Sequence, residues 1–501
     1  MIKRFTAIFL ILALSVTLFS CDRGNNKPEE TEGYILPTEI IDADISFPYM
    51  SSDSFEPYAA KSVTNRNLIP IIYESLFVPT EDGKGEKLLA RESTVNGKDV
   101  IVKLLEGVRF SDGVEVNSAY VKASFELAKK NDYYEASLKD VISIKAVDNL
   151  TVKFTFSRET PFMLNVLSFP VVRKSKGAYI GCGKYKIDYL ENAPYLQANT
   201  YHRDYSDSWN KQLALYDMAG VSSPIYPFKA NKISVYKHEL SAESYVNLSS
   251  QTIAENMNNL VYIGVNSKWA GSVTSIDWVR QAINIGLDRN SVGAASFLGQ
   301  TSAVVTPFKK DFYQLSYENL PQLSGETERA IAILERNGYD KINQDGVRTN
   351  GSNALRVNIL VCTENEYKKN VAEAVKKSLE VLGFGVSITE KATLEDFSAA
   401  LSQGHFGLYI GETRLSYDYN LDEFFSKGGQ LSYGIDEAFF AEYEAYKSGA
   451  DSTMTFVEGF ETEVPFIPLF YRKAVVSVNP NISGVSENSV YSSVSDWRLD
   501  K

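Results

Sequence analysis

Between residues 100 and 105, Val100, Val102 and Leu104 share one face, and Ile101 and Leu105 share the other with Lys103. That near-continuous apolar run predicts a mostly buried strand. Gly107 ends it, a short arm 108–110 follows, and Asp112-Gly113 marks a tight turn. Asn117 then opens a helix over 119–130, with Val121, Phe125 and Ala128 at i, i+4 and i+7. Residues 142–156 alternate on both sides of Asp148-Asn149 and predict a hairpin. Upstream, Leu68, Ile71, Ile72 and Leu76 mark a short helix over 65–76. In the second half, 329–338 is a helix stopped by Gly338. A strand over 355–361, an amphipathic helix over 367–382 and a strand over 386–389 follow, with Val371, Val375, Leu379 and Leu382 on one helical face. Strand, helix, strand implies a parallel βαβ unit.

A chain of 501 residues is too long for one ordinary core, so two or three lobes are expected. Apolar content of 44% and charged content of 23% are those of a globular protein. The 30 Tyr and 27 Phe supply half-polar rings suited to a wet cleft as well as to cores. A formal charge of −12 without a long basic run argues against a nucleic-acid partner. Three histidines, His202, His238 and His405, form no His-Glu-x-x-His, and neither paired zinc cysteines nor Gly-x-Ser-x-Gly occurs. No catalytic residue, metal ligand or cofactor is therefore assigned. Gly181-Cys182-Gly183-Lys184-Tyr185 narrowly misses a nucleotide loop, because Tyr185 stands where Ser or Thr must meet magnesium.

At the start, Lys3 and Arg4 precede an uncharged apolar run over 5–19, too short to span a membrane and suited to a signal peptide over 1–20. Leu18-Phe19-Ser20-Cys21 resembles a bacterial lipobox, although Phe19 is bulkier than usual there. The resemblance implies that Cys21 becomes the lipidated N-terminus, anchored to the membrane on its extracytoplasmic side, with the polar stretch 21–33 as a tether. Cys182 and Cys362 then remain, far apart in sequence, and are expected to be free buried thiols.

The order of several segments carries a wider resemblance. Tyr73-Glu74-Ser75-Leu76, Leu88-Leu89-Ala90, the bent strand and Phe110-Ser111-Asp112-Gly113 come first, then the 181–185 segment. Tyr262-Ile263-Gly264-Val265-Asn266, the helix around Val279-Arg280-Gln281-Ala282 with Asp288-Arg289, and the closing run 464–478 follow. Together they resemble the extracellular solute-binding proteins of the peptide/nickel class, bacterial family 5. The region 194–262 diverges and lacks the family's Gly-x-x-Asp element, and Tyr120 replaces its usual acidic residue.

The resemblance implies an α/β bilobal clamp of the periplasmic-binding-protein type II, with an extra subdomain in lobe one. Lobe one would cover 34–265 with the subdomain at about 65–173, lobe two 266–465, and 466–501 would return to lobe one. Crossovers near Val265 and Pro468 would form the hinge, and cargo would close the cleft by a population shift. The implied role is the receptor of an ABC importer, a monomer passing a short peptide to permease transmembrane subunits. Nickel or another metal complex, a sugar and an opine-like solute are alternatives within the family. An exported hydrolase and a signalling receptor are the alternatives outside it. Leu415-Ser416-Tyr417-Asp418-Tyr419-Asn420 resembles the family's Ala-Asp-Tyr-Asn segment. By that match Asp418 would hold the peptide's ammonium, with Tyr417 and Tyr419 beside the ligand. Arg280, Asp288 and Arg289 read as fold-stabilising charges. Arg414, on the same face as Asp418 if the strand is extended, is a candidate for the ligand's carboxylate.

Overall fold

Val100, Val102 and Leu104 lie on the buried face of strand Asp99–Leu104 in the computed structural model, none more than 2% exposed. This strand pairs antiparallel with Ala90–Asn96 and with Thr151–Phe156, which pairs in turn with Val141–Ala146. The described residues are 43–241, 245–318, 320–351, 353–487 and 489–500, so the leader, Cys21 and the tether lie outside them. Helix Ser118–Ala128 covers the four-stranded sheet. Asn117 caps it by accepting from the Ala119 and Tyr120 N–H groups at 3.0 and 3.3 Å. Phe125 meets Phe154 and Phe169 edge-on at 6.0 and 5.9 Å. Tyr120 packs edge-on against Phe110 at 5.1 Å, which gives the unusual ring at that position an apolar role.

The helix expected over 65–76 is two short ones, Val63–Arg66 and Ile69–Ile72. Pro70 has no N–H to donate into a continuous helix, so the chain restarts just before it. Gly181 and Gly183 pass against the second of these. A Cβ on Gly181 would lie 2.1 Å from the Ile72 carbonyl oxygen, and one on Gly183 2.5 Å from that of Ile71. The glycines allow backbone to touch backbone.

Lobe one adds a second sheet. Ser46–Tyr49 runs parallel to Gln212–Asp217, followed by Ala193–Ala198 and Tyr185–Leu190 in antiparallel order. The C-terminal residues close this core, with Trp497 fully buried and stacked on Phe47 at 5.3 Å. Lobe two is built on a larger mixed sheet in the order Val235–His238, Phe466–Val478, Gln251–Val265, Leu408–Arg414, Arg356–Cys362, Gly385–Lys391. The last two strands are parallel and joined by helix Glu366–Val381, whose Val371, Val375 and Leu379 are fully buried. Cys182 and Cys362 are buried and unpaired with each other.

Two long antiparallel strands, Gln251–Val265 and Phe466–Val478, run through both cores. Ile253, Val476 and Val478 belong to the core of lobe one, whereas Val261, Ile263, Ile467 and Leu469 belong to that of lobe two. Between them the ladder slips: Asn256 faces Lys473, but Leu260 already faces Tyr471. The passage between lobes therefore falls at this bulge. Val265 and Pro468, where the sequence places the crossovers, sit inside lobe two, and Arg289 Nε donates to the Pro468 carbonyl at 2.8 Å. Arg280 likewise donates to the Glu463 carbonyl at 2.9 Å, and Asp288 caps helix Arg289–Ala294, so all three charges hold the fold.

Candidate functional site

The polar run Glu255-Asn256-Met257-Asn258-Asn259 interrupts an otherwise apolar strand. Such side chains would be wasted in a core, and at the bulge Glu255, Asn256 and Asn258 line a cleft between the lobes. Two cavities of 400 and 490 Å3 meet there, sharing Pro70, Pro79, Glu255, Tyr417 and Tyr491 in their linings. A larger cavity of 690 Å3 lies between the loop at Ser51–Glu56, the turn at Ser111–Asp112 and the hairpin at Lys186–Asn192. All its walls belong to lobe one, so lobe movement would not close it, and the smaller pair is the better binding cleft.

The two ends of the cleft differ in charge. At one end Lys309 pairs with Glu81 at 3.1 Å, and Glu487 lies nearby. At the other, Lys237 pairs with Glu255 at 2.6 Å, leaving Lys61, Arg66 and Arg414 in the same wall beside Glu239. Arg66 stacks over the Tyr133 ring with Cζ 3.1 Å from its centroid, and Arg414 approaches the same ring at 4.7 Å while donating to its hydroxyl. Among the described residues neither guanidinium is ion-paired with a carboxylate. Two like charges at one ring repel, and a ligand anion between them would relieve that.

The segment 414–420 is divided in its roles. Arg414 ends strand Leu408–Arg414 opposite Asn259, at the bulge. Tyr417 lines both cavities, and Asn165 Nδ2 donates to its carbonyl at 3.4 Å. Tyr419 lines the smaller cavity from a left-handed backbone conformation, φ 54°, and its ring stands edge-on to Phe312 at 5.0 Å. Asp418 does not line either cavity. It is half-buried, accepts from the Ser416 hydroxyl and, at 3.4 Å, from the Asn420 N–H. Burial pushes its carboxyl above the ordinary aspartate range, only partly offset by Ser416 and by Arg158 at longer range. Arg66, Tyr133, Glu255, Lys309 and Tyr491 were not singled out in the sequence. Only the polar interruption at 255–259 could have drawn attention to the cleft floor.

Among the described residues no cluster of three or more His, Cys, Asp or Glu side chains suits a metal ion, and no helix is long and apolar enough to cross a membrane. The glutathione-binding protein GsiB of Escherichia coli (strain K12) is 23% identical over 323 residues, covering 57% of this chain and 59% of that relative's length. Among solved structures, NikA from Brucella suis in complex with Fe(III)-EDTA aligns with a TM-score of 0.68 at 17% identity, covering 91% of this chain and 100% of that one. The oligopeptide-binding protein AppA from Bacillus subtilis, in complex with a nonapeptide, gives 0.57 at 17% identity, covering 91% and 99%. The periplasmic murein tripeptide-binding protein MppA in its unliganded open form gives 0.68 at 16%, covering 91% and 97%. These alignments establish the bilobal solute-binding fold. The model of the middle region of bacterial extracellular solute-binding proteins, family 5, matches residues 68–431, more than half of the chain, and with two lobes around one charged, aromatic cleft the protein belongs to that family.

Proposed function

We propose that this protein is the substrate-binding receptor of an ABC importer, capturing a short peptide between its lobes and passing it to permease subunits without chemistry. The observation that carries the reading is the cleft at the bulge, walled by both lobes and bearing at one end two guanidiniums without a carboxylate partner among the described residues. A peptide's C-terminal carboxylate suits Arg66 and Arg414, since Arg–carboxylate pairs make strong, oriented bonds. Its ammonium suits Asp418, whose pKa is raised by burial and which has no cationic partner in contact among the described residues, so an arriving ammonium would favour its charged form. Meeting the cleft requires Asp418 to give up the Ser416 hydroxyl. The named relatives bind glutathione, peptides and a metal chelate, which supports a small solute and is compatible with a peptide. The monomeric state, the signal peptide and the lipid on Cys21 belong to the same reading.

Calorimetry with a tripeptide library in free, N-acetylated and C-amidated forms tests it. Free peptides should bind, and blocking either end should weaken binding by ~2–5 kcal/mol where the pair is desolvated. Asp418→Asn should remove the penalty of acetylation, and Arg414→Met that of amidation. Equal affinities for free and blocked peptides would move the cargo to a non-peptide solute, and turnover of a chromogenic ester or peptide would favour an exported hydrolase.

A further inference from the structure

Away from the hinge strands, the subdomain of lobe one and lobe two meet along a seam that begins at the Lys309–Glu81 end of the cleft. Phe162 follows strand Thr151–Phe156 in the subdomain, yet its ring belongs to the core of lobe two. It stacks on Phe312 at 4.6 Å and 22°, lies 6.0 Å from Tyr419, and is 2% exposed. Gly83 covers it from behind: a Cβ there would lie 2.5 Å from Phe162 Cδ1. Glu81, two residues before that glycine, pairs across the seam with Lys309.

Polar contacts continue the seam. Lys139 of the subdomain binds Asp422 Oδ2 at 2.8 Å, and Lys447 of lobe two holds Oδ1 of the same carboxylate at 2.8 Å. Arg158 is held by Asp140 at 2.8 Å within the subdomain and donates across to the Lys447 carbonyl at 2.8 Å. Opening the clamp would expose the Phe162 ring and the face of Phe312, take Lys139 from Asp422 and leave the Lys447 carbonyl without Arg158. Each of these contacts forms between protein groups alone, so the apolar burial and the charge-assisted bonds favour closure whether or not the cleft is filled.

We propose that this seam is a latch that keeps the ligand-free clamp closed, with Phe162 as its apolar key. Cargo then enters only during transient openings, and its uptake depends on the fraction of molecules with the latch released. The latch is a property of the protein alone; only its consequence for uptake rests on the receptor reading.

Solution scattering of the ligand-free protein tests it without any cargo. The wild-type radius of gyration should match that of the structure with the seam formed. Phe162→Ala, from the subdomain, and Phe312→Ala, from lobe two, should each raise it, and the double variant should expand no further than either single one. Phe162→Leu should restore most of the compact form. Circular dichroism and a cooperative melt establish that each variant is folded, which separates an opened clamp from an unfolded subdomain. A ligand-free wild type already as expanded as the variants, or folded variants as compact as wild type, would overturn the latch. Those results leave the receptor reading standing. Loss of that reading would appear separately, as failure of any small solute to contract the expanded Phe162→Ala protein.

Discussion

Glu461 shows how far a single side chain is shaped by what surrounds it. Asn284 Nδ2 donates to its Oε2 at 2.7 Å, while Oε1 is buried with no partner among the described residues. Burial pushes its pKa from 4.5 up to about 7, against the pull of Arg289 and the Asn284 bond. Because the folded value lies above the unfolded one, the stabilising form is the protonated one. Its contribution is complete below pH 4.5 and is lost as pH rises through about 7. Glu461→Gln should therefore match wild type near pH ~4.5 and be more stable near pH ~8, by ~1–3 kcal/mol. Thermal melts at the two pH values measure this, and equal melting midpoints at the higher one would show that the carboxylate finds water or a partner. Arg289, facing it, is fully buried and pulled down to about 10 by burial, but its three donors reach the Pro468 carbonyl, the Asn284 carbonyl and the Asn284 side chain.

At the scale of elements, close backbone approaches explain what periodicity leaves unexplained. The segment around Cys182 looks like a damaged nucleotide loop in sequence, and in space it is the place where one chain segment slides past Ile71 and Ile72. Gly181→Ala would drive a methyl into a carbonyl that belongs to another element and cannot rotate away. A loss of ~3 kcal/mol is expected, read as a lower melting midpoint with the isolated mutation and no change in charge. An unaltered midpoint would mean that the helix Ile69–Ile72 moves aside at little cost. The hinge strands follow a similar logic. Glu412 is buried between Arg472, at 2.6 Å, and Lys368, at 3.3 Å, beside the bulge, and these partners hold its carboxyl below the usual range despite burial.

For the whole molecule, location and motion can each be tested. Cys21→Ser should move the protein from the membrane to the soluble exported fraction if the lipobox reading holds. Unchanged membrane partition would locate the anchor elsewhere. The two lobes are joined by two strands that the same sheet holds together, so motion about the bulge is expected to leave each core intact.

The elements were legible in the sequence wherever a segment buries one face. The strand at Asp99–Leu104, the hairpin on either side of Asp148-Asn149 and the unit from Arg356 to Lys391 follow from apolar spacing alone, because burial acts on each residue with the period of its own backbone. The order of the family-like segments also carried the bilobal fold. What spacing does not carry is which distant residues meet. Arg66 and Arg414 share the ring of Tyr133, and Phe162 leaves its own subdomain for the core of lobe two, through contacts that no local pattern records. Asp418 was singled out by its neighbours in the chain, yet whether its carboxylate turns toward Ser416 or toward the cleft depends on burial and charges supplied by other elements. Local periodicity thus determined the elements of this protein, and only tertiary packing, which brings distant charges and rings within a few ångströms, decided its cleft and its seam.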